Sequence, residues 1–221
     1  MNVALALLWK DLLCEWRSRD RVVAMIVFSI LVVVVFQFAW PEVPREQTQV
    51  LAPGVLWVIY LFAALLGIGR TFTAELENDA LTALALAPGT RGWIFVGKAA
   101  ASLVLIGAVQ ALTAGVFAIF FRLDWAAHAG ALALVVALAD VAICSVGTLF
   151  SAMSVRSRFR EVLLPVLLIP SLIPVLAAAV RATTTILAGE ELGLAAVQPL
   201  IVMAGIYGVL GFLLFDPALD D

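Results

Sequence analysis

Charge is what this chain has least of. Asp, Glu, Lys and Arg supply 13% of its 221 residues, about half the share usual in a soluble domain. Its two cysteines, Cys14 and Cys144, stand far apart with no CxxC or CxxCH. A disulfide framework, a zinc site and covalently attached haem therefore have no support, and no covalently bound cofactor is expected. Histidine occurs once, as His128. HExxH and GxSxG are absent, as is any pair of intramembrane acids, so neither hydrolytic catalysis nor a proton relay finds its groups. One acid and one amide within the apolar stretches, Asp140 and Gln110, are thin material for an ion-coupled carrier. The amino terminus lacks the small-x-small cleavage pattern of a secretory signal. No catalytic residue, metal site or nucleic-acid partner is expected.

What is present is hydrocarbon. With 64% hydrophobic residues and a mean hydropathy of +1.13, the chain reads as an all-α integral membrane protein, one transmembrane domain over 1–221. Six apolar stretches of near-spanning length fall at about 22–40, 50–69, 99–121, 130–153, 162–180 and 199–215. Lys10, Arg17, Arg19, Arg21, Arg70, Arg91, Lys98, Arg156, Arg158 and Arg160 gather at one side and Arg45, Arg122 and Arg181 at the other. That bias predicts both termini in the cytoplasm.

Two segments are not spans. Residues 3–17 place Leu5, Leu8, Trp9, Leu12, Leu13 and Trp16 at helical spacing opposite Lys10, Asp11 and Glu15, the pattern of a helix in the membrane interface. Residues 70–98 form the longest polar interruption. Thr73 is placed to cap a turn bearing Glu75 and Glu77, and Asp79 to cap a second carrying Leu81 and Leu84, which Pro88-Gly89 stops. A short bent helix of this kind on the cytoplasmic side suits a partner groove with an apolar floor and basic rim. A helix lying flat on the membrane is the plainer reading, but acidic residues beside anionic headgroups argue against it.

Within the spans, Gly130, Ala133, Ala137, Asp140, Cys144, Gly147 and Ser151 follow steps of three and four, a seam along which helices could approach closely. A mid-membrane carboxylate costs about 2.5–3.5 kcal/mol on insertion. The ten Leu, Ile, Val and Phe residues of that span return roughly 3–6 kcal/mol, so it still inserts, with Asp140 facing protein or water. Pro165, Pro170 and Pro174 are expected to kink or break span five. Trp40, Trp93 and Trp125 fall at interface positions, where indoles commonly settle. The outer connection at 181–198 is expected to hold a short helix around ILAGEELGLAAV. Gly92–Ala99 approaches GxxxxGK[ST] but ends in Ala99 and follows no strand, so it is refused as a phosphate loop.

LAPGVLWV at 51–58, Arg70-x-Phe72, Glu75-Leu76, Leu81-x-x-Leu84 closing at Pro88, Lys98, GTLFSA at 147–152, Arg160-Glu161 and PVLLIPSLIPVL at 165–176 resemble, in order and spacing, the CcmB family, the haem exporter B proteins of cytochrome c maturation. Asp79, where members often carry Gly, and Thr82, near a frequent acid, depart from it. The resemblance implies a permease half-transporter that works as a homodimer in the bacterial inner membrane. A separate CcmA-type subunit would hold ATP and magnesium and seat on Glu75, Glu77, Asn78, Asp79, Leu81, Leu84 and Pro88. CcmC- and CcmD-type membrane subunits and a CcmE-type haem chaperone complete the expected assembly. Haem is the implied cargo, with His128, Trp125 and Asp140 as the residues along a haem path. A non-transporting scaffold that recruits the same partners, the ATP cycle releasing haem-loaded chaperone, is the alternative.

Overall fold

The structure is a computed structural model, and it describes residues 3–39, 45–72, 75–76, 91–123, 125, 128–155 and 157–220. Thr73, Glu77, Asn78, Asp79, Leu81, Leu84 and Pro88, together with Trp40 and Arg156, lie outside the described residues.

Seven helices are described: α1 (Val3–Ser18), α2 (Asp20–Ala39), α3 (Arg45–Ile68), α4 (Gly92–Phe121), α5 (Ala129–Ser154), α6 (Arg160–Leu187) and α7 (Leu194–Asp220). Six of them, α2 to α7, are long and apolar enough to cross a bilayer, and the chain is a multi-pass membrane protein. An α-helix satisfies its own backbone, which is why lipid-soluble sequence of this length takes no other form here. Arg19 alone separates α1 from α2; its φ of 59° turns the chain, and Glu15 Oε1 accepts from Val22 N–H at 3.0 Å to hold the elbow.

α3 is the axis of the bundle, packed against α2, α4, α5 and α6. Trp57, Ile59, Tyr60, Ala63, Ala64 and Ile68 are all buried on it. α6 presents Leu164, Leu168, Leu172, Val175, Ala179 and Ala182 to the core, one stripe at steps of four and three. By contrast α2 buries only Arg21, Met25, Ser29 and Val33 and shows lipid most of its surface, as its uniformly apolar composition allows. Gly147 lets α5 meet α3 closely: a Cβ there would lie 2.4 Å from Ile68 Cδ1.

Three expectations change. Span three begins at Gly92, so 92–98 belongs to a helix and not to the polar interruption. No short helix forms around 186–197: α6 runs on to Leu187, Gly189 with φ of 77° ends it, and α7 starts at Leu194. Nor do the prolines break span five, since α6 is continuous through Pro165, Pro170 and Pro174. Each proline removes one donor, and the remaining ladder holds the helix through them.

Candidate functional site

A lysine in the second turn of an apolar helix must find an anion or leave the protein interior. Lys98 finds two. It is 1% exposed, and its Nζ lies 2.7 Å from Glu75 Oε1 and 3.0 Å from Asp11 Oδ2. It donates as well to the Thr71 carbonyl at 3.0 Å and sits 5.0 Å above the Phe72 ring. Glu75, 3% exposed, is shared with Lys10, which also pairs with Asp11. The knot thus joins α1, the segment 71–76 and α4. Burial pushes the Glu75 carboxyl up, but the Lys98 charge and the bonds from Lys10 and Lys98 outweigh it and hold the group below its usual range. Lys10 is held above its own range: burial lowers it, and the Glu75 bond with the Asp11 charge more than offsets that.

Beside the knot the helices fit tightly. A Cβ at Gly97 would lie 2.7 Å from the Ala4 carbonyl oxygen, so only glycine lets α1 lie this close to α4. Phe215 of α7 packs on Phe72 and Phe95. α1 therefore turns Lys10, Asp11 and Glu15 inward, Glu15 pairing with Arg21 at 3.3 Å. Leu5, Trp9, Leu13 and Trp16 stay exposed on its outer side.

The knot forms one wall of a cleft of about 1140 Å³. Arg17, Arg70 and Arg160 line it from three helix ends, with Phe28, Phe62, Leu66 and Pro165 on another wall.

A second polar cluster lies mid-bundle. Asp140 and Gln110 are each 1% exposed, and Asp140 Oδ1 and both terminal atoms of Gln110 lack a hydrogen-bond partner among the described residues. Tyr60 donates to the Gln110 carbonyl at 3.0 Å, and Trp57 Nε1 to Thr183 Oγ1 at 3.0 Å.

The profile of the family described as CcmB protein matches residues 2–216. The chain belongs to the CcmB family. It is similar to the "Heme exporter protein B" of Rhodobacter capsulatus, 31% identical over 202 residues that make up 91% of this chain and 89% of the relative. Proteins of the same name from Paracoccus denitrificans, 29% identical over 77% of this chain and 78% of theirs, and from Bradyrhizobium diazoefficiens, 27% identical over 86% and 84%, are similar too.

Several positions of this CcmB chain quoted for the resemblance meet at the knot: Lys98 pairs with Glu75 and lies over the Phe72 ring. Glu75 is buried, so it does not present its carboxylate to a partner as expected; two lysines draw it inward. The seam on α5 divides. Asp140, Cys144, Gly147 and Ser151 are buried, while Gly130, Ala133 and Ala137 are exposed in this single chain. Along the first turns the buried positions are Val135 and Ala139 instead. His128 precedes α5 and Trp125 packs on Phe117. Twelve helical residues, about 18 Å, separate His128 from Asp140, so those three do not form one site. Gly92–Ala99 is helix and not a phosphate-binding loop. Thr71 carried no expected role, and Lys10 and Asp11 only that of the polar side of an interfacial helix; the signal for the knot was Lys98 itself, too deep in an apolar run to stand without acids.

Proposed function

We propose that this chain is the membrane-spanning permease subunit of an ABC exporter that carries haem toward the periplasm for c-type cytochrome assembly. A separate CcmA-type ATPase drives it by seating on residues 73–88, and two copies of the chain form the pathway. CcmC- and CcmD-type subunits and a CcmE-type chaperone receive or hold the haem. Both termini face the cytoplasm, in the bacterial inner membrane, following the distribution of Lys and Arg.

The observation that carries this reading is the match of residues 2–216 to the CcmB family, whose similar members bear the name heme exporter protein B. The knot supports it physically. A seat for a motor is useful only if force on it reaches the spans, and Glu75 is tied to α4 through Lys98 and to α1 through Lys10. A scaffold that merely recruits partners needs no such internal connection.

The test is co-purification from membranes with and without Leu81→Asp/Leu84→Asp. Wild type should bring down an ATPase with ATP turnover, and the double variant should insert normally yet lose it. An ATPase missing from wild type, or fully bound and active with the variant, overturns the docking assignment and puts the scaffold ahead.

A further inference from the structure

We propose that the cleft beside the knot is a binding site for an anionic glycerophospholipid of the surrounding leaflet. Its phosphodiester would sit on Arg17, Arg70 and Arg160, and its acyl chain would run along Phe28, Phe62 and Leu66. This inference does not rest on the transport reading; it requires only that the helices stand in a bilayer.

The charges of the cleft sort into two groups. Arg21 is matched by Glu15, and Lys98 by Glu75 and Asp11. Those groups hold the walls together. Arg17, Arg70 and Arg160 have no ion pair among the described residues, and neither do the lining acids Asp20 and Glu161. Lys10, from outside the lining, supplies the second cation of the knot, pairing with Asp11 and Glu75, so the knot is balanced and three free guanidiniums stand against two free carboxylates in the cleft. Arg21 strengthens the site from beneath. It lines the cleft at 9% exposure, and its buried Nε has no hydrogen-bond acceptor in good geometry despite Glu15 at 3.3 Å.

The occupant is chosen by the other wall. Phe62 and Leu66 are each 42% exposed on a helix that otherwise buries most of its span, so the cleft opens sideways onto lipid. An anion with a long apolar tail fits guanidinium forks at one end and an aromatic wall at the other. Free Asp20 and Glu161 select a headgroup that also donates hydrogen bonds, which the glycerol of phosphatidylglycerol does and choline cannot. Haem is also an amphiphilic anion, and Cys14 is the one lining side chain of a type that ligates its iron, so hemin competes with the lipid in the experiment below.

The experiment is native mass spectrometry of the full chain, with whatever subunits purify alongside it, in micelles doped with phosphatidylglycerol or phosphatidylcholine of identical acyl chains. Phosphatidylglycerol should be retained over phosphatidylcholine. Arg70→Gln and Arg160→Gln should each lower that retention about fivefold, and Arg181→Gln, at the opposite end of the bundle, should leave it unchanged. Both arginines are free of structural partners, so the variants should fold. Equal retention of the two lipids, or indifference to the arginines, overturns the proposal. So does displacement by inorganic phosphate at equal concentration, which would mean an anion site without a tail. Displacement by hemin with the same arginine dependence would assign the cleft to a porphyrin. Self-cross-linking of Leu66→Cys between copies would mean that a second chain covers the wall.

Discussion

Lys98 Nζ and Glu75 Oε1 lie 2.7 Å apart with both side chains almost wholly out of solvent. A buried pair adds little over an apolar pair of the same shape, yet breaking it from one side strands a charge. Lys98→Met should therefore destabilise the protein by about 3 kcal/mol, read as a fall in the thermal midpoint in detergent. Adding Glu75→Leu should recover most of that loss. A single variant as stable as wild type would mean that the pair is solvated.

The same two lysines set a pH window. Glu75 is held below its ordinary 4.5, so its contribution is complete above that value and is lost as pH falls through the lower native one. Lys10 is held above 10.5, so its contribution is complete below that value and is lost as pH rises through the higher native one. Stability from these groups should be level between 4.5 and 10.5 and decline on either side. Glu75→Gln should flatten the acid decline in thermal scans taken at pH values below 4.5.

Gly97→Ala should push α1 away from α4, because the new methyl would meet backbone at Ala4 and not a side chain that can turn aside. A cost of about 1–3 kcal/mol is expected, with faster proteolysis in residues 3–18. Gly115→Ala, in the same helix with nothing within 4 Å of the new atom, is the control and should change neither.

Asp140 is buried mid-span with Oδ1 unpartnered among the described residues. Asp140→Leu should leave insertion and thermal stability unchanged or raised, since it removes an insertion cost of about 2.5–3.5 kcal/mol. A loss of transport in a variant that inserts and folds as well as wild type would then mark a working carboxyl. A marked loss of stability would show the carboxyl to be structural.

Much of the architecture was legible in the residues. Hydropathy alone places six spans, because a backbone in lipid has no alternative to the helix, and amphipathic spacing over 3–17 gives α1 almost to its ends. What escaped was the direction in which polar groups face. In water the charged side of an amphipathic helix faces solvent; here Lys10, Asp11 and Glu15 face protein, because Lys98, Glu75 and Arg21 are there to meet them. Proline misled for a related reason. Its cost is one hydrogen bond, which a 28-residue helix such as α6 absorbs. Asp140 was rightly kept from lipid by its charge, but spacing on one helix could not tell that Gly130, Ala133 and Ala137 would stand outside while Asp140 stood inside.

The knot has a consequence for biosynthesis. α1 leaves the ribosome well before the groups that hold its polar side: Glu75 follows Lys10 by 65 positions and Lys98 follows Asp11 by 87. Until then Lys10 and Asp11 can pair with each other and Glu15 with Arg21, while Trp9 and Trp16 rest on the bilayer surface. α1 thus precedes all six spans along the chain, yet it closes over α4 only once the third of them has been threaded.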